Sequence, residues 1–331
     1  MKLCKRMIPA LLAVLMLSTT VLAAGRIDLD REAALTISYQ DGSAPLSGAE
    51  FRIYLVASVD ETGELTPTDD FDSFQVDIRG KNDEAWRALA STLEGYVLRD
   101  GVAPADSGRT DTDGQLHFPT DGRKLTPGLY LVLGSRHTQG GQRYDSMPFM
   151  VMLPTQDTER NAWVYDVLVS PKFEASAIPD TPSAITRKVL KVWDDAGSEK
   201  DRPTEVTVQL LRDGAVYDTV TLSAGNGWSH TWSGLDDSCT WTVVEKACEG
   251  YTVRVEREGI TFVMTNTYAA EIPDDPTPEA PLPPDPAKPT PSGPTLPQTG
   301  QVWWPVPLLL MTGLLLLAVG LFRRRTTGDE G

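Results

Sequence analysis

Between Ile27 and Pro182, short runs of alternating apolar and polar residues are separated by turn residues: Leu35–Tyr39, Phe51–Val59, Gln115–Phe118, Gly128–Leu133, Met147–Leu153 and Ala162–Val169. Alternation with a period of two sends successive side chains to opposite faces, so each run predicts a half-buried strand. Asp41-Gly42, Asp113-Gly114 and Asp121-Gly122 mark tight turns between them. One segment has a different period. Trp86, Leu89, Ala90 and Leu93 recur at i, i+3, i+4 and i+7, which predicts a short amphipathic helix over 82–94, inserted and packed on a sandwich edge.

After Ala177-Ile-Pro-Asp-Thr-Pro182, a linker by composition, seven further runs follow: Val189–Trp193, Val206–Leu211, Thr219–Leu222, Ser229–Trp232, Thr240–Glu245, Tyr251–Glu256 and Thr261–Tyr268. Seven short strands in about 90 residues predict an immunoglobulin-like sandwich, without the cysteine-tryptophan-cysteine spacing of antibody domains. The fold class expected is all-β: two tandem β-sandwich domains over 25–176 and 183–270, joined by a linker at 177–182.

The two ends carry different patterns. Residues 1–24 open with Lys2, Lys5 and Arg6, run through Leu11–Leu17 and close on Ala23 and Ala24, as a secretory signal peptide does. Val302–Phe322 has no charge and reaches roughly 30 Å as a helix, the thickness of a bilayer core. It is followed by Arg323-Arg324-Arg325, which place the tail 323–331 in the cytoplasm. Just before the span stands Leu296-Pro297-Gln298-Thr299-Gly300. Pentapeptide, apolar span and basic tail in this order resemble the sorting signal of Gram-positive sortase substrates. The resemblance implies attack by a sortase cysteine on the Thr299 carbonyl and transfer of the chain to an amine of the peptidoglycan precursor, with Gly300 onward released. The segment 271–295, with ten prolines between Ile272 and Thr295, reads as a polyproline-like wall spacer of about 70 Å.

Charge and composition narrow the functions. The 331 residues carry 46 acidic and 30 basic side chains, a formal charge of −16, which repels phosphate backbones, so no nucleic-acid partner is expected. Three scattered histidines and three cysteines leave little for a metal or a Cys/His catalytic centre, and neither metal nor cofactor is expected.

Three polar residues of the second unit sit in register with large apolar neighbours. Lys191 shares a face with Val189 and Trp193, Glu245 with Val243 and Trp241, and Asn266 with Phe262, Met264 and Tyr268. Pointing an ammonium, a carboxylate and an amide at a core costs several kcal/mol or shifts their pKa values. These residues also carry a resemblance. Lys191-Val-Trp-Asp-Asp, Arg202-Pro203-Thr, Val206-Thr-Val-Gln-Leu-Leu, Asn226-Gly-Trp228, Trp232-Ser-Gly-Leu, Trp241-Thr-Val-Val-Glu, Glu249-Gly-Tyr and Thr265-Asn-Thr-Tyr268 resemble the collagen-adhesin B-type (Cna B) domain. It implies an inverse immunoglobulin or transthyretin-like sandwich with an internal isopeptide bond: Lys191 as nucleophile, Asn266 as electrophile, and Glu245 protonated to polarise the Asn266 carbonyl and shuttle protons to the departing ammonia. Lys188, on the opposite face, is a competing lysine.

The first unit resembles the amino-terminal or repeat domains of Gram-positive pilin subunits, through Pro45-Leu-Ser-Gly-Ala-Glu-Phe51, Thr112-Asp-Gly-Gln-Leu116, Leu125-Thr-Pro-Gly-Leu-Tyr130 and Val164-Tyr-Asp-Val-Leu-Val-Ser-Pro-Lys172. In polymerising pilins a lysine in a Tyr-Pro-Lys-Asn context accepts the sortase-borne chain. Lys172 is the matching position, and Ser170 and Phe173 depart from the pattern. The first strand, Leu35–Tyr39, has no lysine, so no isopeptide bond of the second-domain type is expected there.

Other signals are weaker. Cys239 and Cys248 lie in an exported chain, but an intervening strand separates them beyond disulfide reach unless the chain doubles back. Asp111-Thr-Asp113-Gly114 holds half of a calcium loop and fits a hairpin turn better. Asp194, Asp195, Glu199 and Asp201 read as a solvated acidic loop, and Trp228, His230 and Trp232 as one packed face. The expectation is a sortase-sorted, peptidoglycan-anchored surface protein serving as structural stalk or adhesin, not an enzyme, its matrix or host ligand unspecified. The alternatives are a pilus subunit joined to other pilin subunits through Lys172 and Thr299, and a wall-anchored extracellular hydrolase.

Overall fold

The computed structural model describes residues 25–79, 82–157, 159–179, 181 and 183–269. The leader 1–24, spacer 271–295, pentapeptide 296–300, apolar span 302–322 and tail 323–331 lie outside the described residues. No helix among the described residues is long and apolar enough to cross a membrane.

In the first domain the strands Glu50–Val59 and Gly128–Gly134 form the centre of an antiparallel sheet flanked by Phe149–Leu153 and Leu65–Pro67, with Asp106–Arg109 also paired to Glu50–Val59. A second sheet places Ala34–Ser38 between Gln115–Phe118, antiparallel, and Asp166–Val169, parallel. Between the sheets Leu35, Ile37, Phe51, Ile53, Phe118 and Val132 are buried. The outer face of the larger sheet is covered as well: Tyr54, Val56, Leu131 and Leu133 pack against Leu89, Leu93 and Val97 of the helix α1 (Asp83–Asp100). This two-sided cover explains why Gly128–Leu133 is apolar almost without interruption.

The helix starts where the sequence predicts. The Asn82 side chain accepts from the Ala85 amide at 2.8 Å, and Asp83 and Glu84 face the positive helix end. It runs six residues past Glu94, to a left-handed Gly101, where Val97 stays packed on the first sandwich while Tyr96 and Leu98 pack into the core of the second. The expected edge position is therefore corrected: α1 lies on a sheet face of one sandwich and against the edge of the other.

The second domain has the seven predicted strands in two sheets. One holds Ser229–Asp236, Ala184–Asp194, Thr261–Tyr268 and Tyr251–Glu258 in that order, and the other Ala215–Ser223, Glu205–Arg212 and Trp241–Glu245. The first and last strands are parallel neighbours, with Lys191 opposite Met264 and Trp193 opposite Asn266. Val189, Val208, Leu210, Leu222, Val243 and Met264 are the fully enclosed apolar centre.

The two sandwiches are docked, and the described residues all belong to one compact unit. The Tyr251–Glu258 strand is a sheet edge whose outward amides need partners. The first domain supplies them: Val253 donates to the Gln75 carbonyl and Val255 to Thr92 Oγ1, both at 2.8 Å. Thr92 in turn donates to the Ala88 carbonyl at 2.7 Å. Arg143 adds a bond to the Asp237 carbonyl at 2.6 Å.

Candidate functional site

Strand alternation sends Lys191 inward from the first strand, Asn266 inward from the last, and Glu245 inward from the facing sheet, so the three meet between the sheets. Lys191 and Glu245 side chains are 0% and 1% exposed, with Nζ 3.0 Å from Oε2. Asn266, fully buried, donates from Nδ2 to Glu245 Oε1 at 2.6 Å. One carboxylate thus touches both the lysine nitrogen and the amide nitrogen through different oxygens. Asn266 Oδ1 has no hydrogen-bond partner, and the Lys191–Glu245 approach is close without being directed as a hydrogen bond. Here the geometry differs from the expectation that Glu245 polarises the amide carbonyl, because it holds the amide nitrogen instead.

Burial is the main influence on Lys191 and pushes its ammonium below the ordinary lysine range, against the opposing pull of the Glu245 charge. The Trp193 ring covers the amine at 4.7 Å. Lys191 is the one lysine that is buried among the described residues, and Lys188 is only partly covered on the other face. A desolvated amine, an amide and a bridging carboxyl are the reagents for an acyl transfer that releases ammonia.

Residues 187–267 match the Cna protein B-type domain and residues 29–174 match the Gram-positive pilin subunit D1, N-terminal domain. The chain thus matches a pilin D1 domain followed by a Cna B-type domain. It is 34% identical over 105 residues to a collagen adhesin of Staphylococcus aureus, an overlap of 29% of this chain and only 9% of that protein. Among solved structures it is similar to a single B repeat unit of the collagen-binding surface protein of Staphylococcus aureus (18% identity, TM-score 0.25, 72% of this chain and 98% of that one). It is also similar to the major pilin SpaD of Corynebacterium diphtheriae (16% identity, TM-score 0.28, 73% and 65%). The two domain matches indicate an extracellular cell-surface protein.

Around the Cna B-type centre stand residues that strand alternation does not flag. Asp195 was expected in solvent and is buried: Arg202 donates to both of its oxygens, at 2.6 and 2.5 Å, and the Tyr251 hydroxyl donates at 3.1 Å. Arg202 holds the Asp195 carboxyl below the usual range. Trp193 packs edge-on against both Tyr251 and Trp228, so this cluster closes one end of the centre. The Arg202-Pro203 motif was its sequence signal; what hid Asp195 was the run of acidic neighbours.

Cys248 also adjoins the centre, with Asn266, Glu245 and Lys191 all acting on its thiol, which burial pushes up. Cys239, expected to be too far for pairing, is free, as is Cys248. Cys239 Sγ accepts from Arg212 Nε at 2.9 Å. Trp228 precedes its strand in a left-handed turn, φ 55°, and packs against the same apolar cluster that holds Trp232. Those two stack edge-on at 4.8 Å, and Trp232 Nε1 donates to Asp218. Asp111 accepts from the Asp113 and Gln115 amides, as a hairpin turn requires. Lys172 is exposed, between the Asp166–Val169 and Phe173–Ala177 strands, and its carbonyl accepts from the Met147 amide.

Proposed function

We propose that this is a sortase-anchored cell-wall surface protein, a structural stalk or adhesin whose Cna B-type domain closes itself with a Lys191–Asn266 isopeptide bond. The observation that carries the reading is the buried Glu245 carboxylate reaching both nitrogens, 3.0 Å from one and 2.6 Å from the other.

The lysine amine, neutral once its proton passes to Glu245 Oε2, attacks Asn266 Cγ. As the new Cγ–Nζ bond forms and the Cγ–Nδ2 bond breaks, Glu245 gives that proton to the departing Nδ2 and takes the second proton from Nζ. Ammonia leaves, Nζ keeps one proton as the amide N–H, and Glu245 ends as the neutral acid. No water competes, because the centre is closed. Export by residues 1–24, a spacer at 271–295 and sorting at Leu296-Pro297-Gln298-Thr299-Gly300 would then hold the chain on peptidoglycan through Thr299.

The test is peptide mapping of the full-length chain. A peptide pair joined through Lys191 and Asn266, about 17 Da lighter than the sum of its parts, is expected in the wild type and in neither Lys191→Ala nor Asn266→Ala. A wild-type chain cleaved normally after Lys191 would refute the chemistry.

The D1 match favours a second reading, a pilus subunit polymerised by a pilin sortase through Lys172 and Thr299. An exposed lysine in the short turn between the Asp166–Val169 and Phe173–Ala177 strands is consistent with an acceptor. A ladder of covalent high-mass species in wall extracts, lost in Lys172→Arg, is its signature. Uniform single-chain species would leave the anchored monomer.

A further inference from the structure

The Cna B-type centre is enclosed partly by its own domain and partly by the other. Helix α1 of the first domain lies directly on the Trp241–Glu245 strand: a Cβ built on Gly95 would stand 2.8 Å from the Val243 carbonyl oxygen and 3.3 Å from Val244 Cβ. These two residues immediately precede Glu245. The next helix residue, Tyr96, is 3% exposed and belongs to the apolar cluster of the second domain. Its ring stacks on Phe74 at 4.7 Å and 11°, and the charges of Glu245 and Cys248 act on its phenol. Gln75, beside Phe74, accepts from the Cys248 amide with its side chain, at 2.8 Å, and from Val253 with its carbonyl. A single wall, made by 74–76 and the second half of α1, therefore stands behind the strand and loop that carry Glu245 and Cys248.

That wall matters to the chemistry because exclusion of water is what favours the neutral amine. The titratable groups facing Lys191 are Glu245, Cys248 and Asp195, and all three favour the charged form. Burial alone opposes them. Any opening beside Glu245 restores the ammonium and removes the nucleophile.

We propose that docking of the first domain completes the enclosure, so that the Lys191–Asn266 bond forms in the docked two-domain unit, with Gly95 and Tyr96 as positioning residues. The inference rests on the isopeptide reading above. It gives Gly95 a purpose: a glycine inside a helix weakens it relative to alanine, and here the missing side chain sets the contact distance.

The test follows crosslink formation over time in the full-length chain, recovered unfolded and refolded by dilution at a series of pH values, with the joined peptide quantified by mass. Gly95→Ala improves the helix intrinsically but pushes it off Val243, and it is expected to slow bond formation about tenfold, the effect of one pKa unit on the amine. Tyr96→Ala should do the same and move the midpoint of the pH–rate profile upward, toward ordinary lysine. A merely structural role would leave that midpoint in place. Tyr96→Phe, which keeps the ring, should react like the wild type. Should Tyr96→Ala fail to refold, Gly95→Ala decides alone. Wild-type rates and midpoints in Gly95→Ala and Tyr96→Ala would overturn this inference while leaving the isopeptide reading intact. Absence of the joined peptide from the wild type would overturn both.

Discussion

Replacing Lys191 by methionine and Glu245 by glutamine together removes the crosslink without stranding a buried charge. The two outcomes have opposite signs. If no covalent bond exists, the pair is an ion pair with both side chains at 1% exposure or less, and swapping such a pair for neutral groups of similar volume is commonly neutral or stabilising by about 1–4 kcal/mol. If the bond exists, the double variant frees a loop of about 75 residues in the unfolded chain, for which the chain-entropy expression gives about 4.5 kcal/mol. Spread over the roughly 245 residues of the docked unit, at about 2.1 cal/mol/K per residue, that lowers the midpoint by about 10 °C; confined to the second domain alone, by about 25 °C. Thermal unfolding of the full-length wild type and Lys191→Met/Glu245→Gln, followed by circular dichroism, reads sign and size together. A fall of about 10 °C in one transition supports both the crosslink and cooperative docking. An unchanged or raised midpoint would refute the covalent account.

Burial raises the Glu94 carboxyl from 4.5 to about 7, against the opposing charges of Arg257 and Arg52. The folded state thus holds a proton that the unfolded state has released, so its contribution is intact below pH 4.5 and lost as pH rises through 7. Glu94→Gln should match the wild type at pH 4 and exceed it by about 1–3 kcal/mol at pH 8; an equal difference at both pH values contradicts this. Asp195 is the reverse case, held low by Arg202. Asp195→Asn should cost about 1–2 kcal/mol in urea unfolding at pH 7 and progressively less as pH falls below the ordinary carboxylate range, and a cost that does not shrink on acidification counts against the clasp. Both Cys239 and Cys248 should be alkylated after unfolding without reductant, with buried Cys239 protected in the native protein. A disulfide-linked peptide joining them is the contrary result.

The second domain was legible because each strand keeps one face to the core, so a polar residue in register with Val189 or Met264 announces itself. Lys191, Glu245 and Asn266 were found that way, and the structure brings them together. In the first domain the same rule found the long strands and missed short ladders such as Gln142–Ser146 with Phe173–Ala177, which are too brief for a period to show. The helix was found by its first-domain face, through Trp86, Leu89, Ala90 and Leu93. Its continuation, Gly95-Tyr96-Val97-Leu98, answers to two partners at once, and no single periodicity describes a surface shared between two domains. Asp195 was misread for a similar reason: its environment is made by Arg202 and Tyr251, one a loop away and the other across the sheet.

The parallel pairing of Ala184–Asp194 with Thr261–Tyr268 also has a mechanical meaning. A pull on the two ends of the second domain draws these neighbours past one another along their length, loading the whole ladder of hydrogen bonds in shear and not peeling it bond by bond. Lys191 and Asn266 both lie toward the carboxyl ends of their strands. A bond between them would take the load across the ladder directly and leave the intervening residues, with both sheets and the contact surface for α1, outside the path of the force.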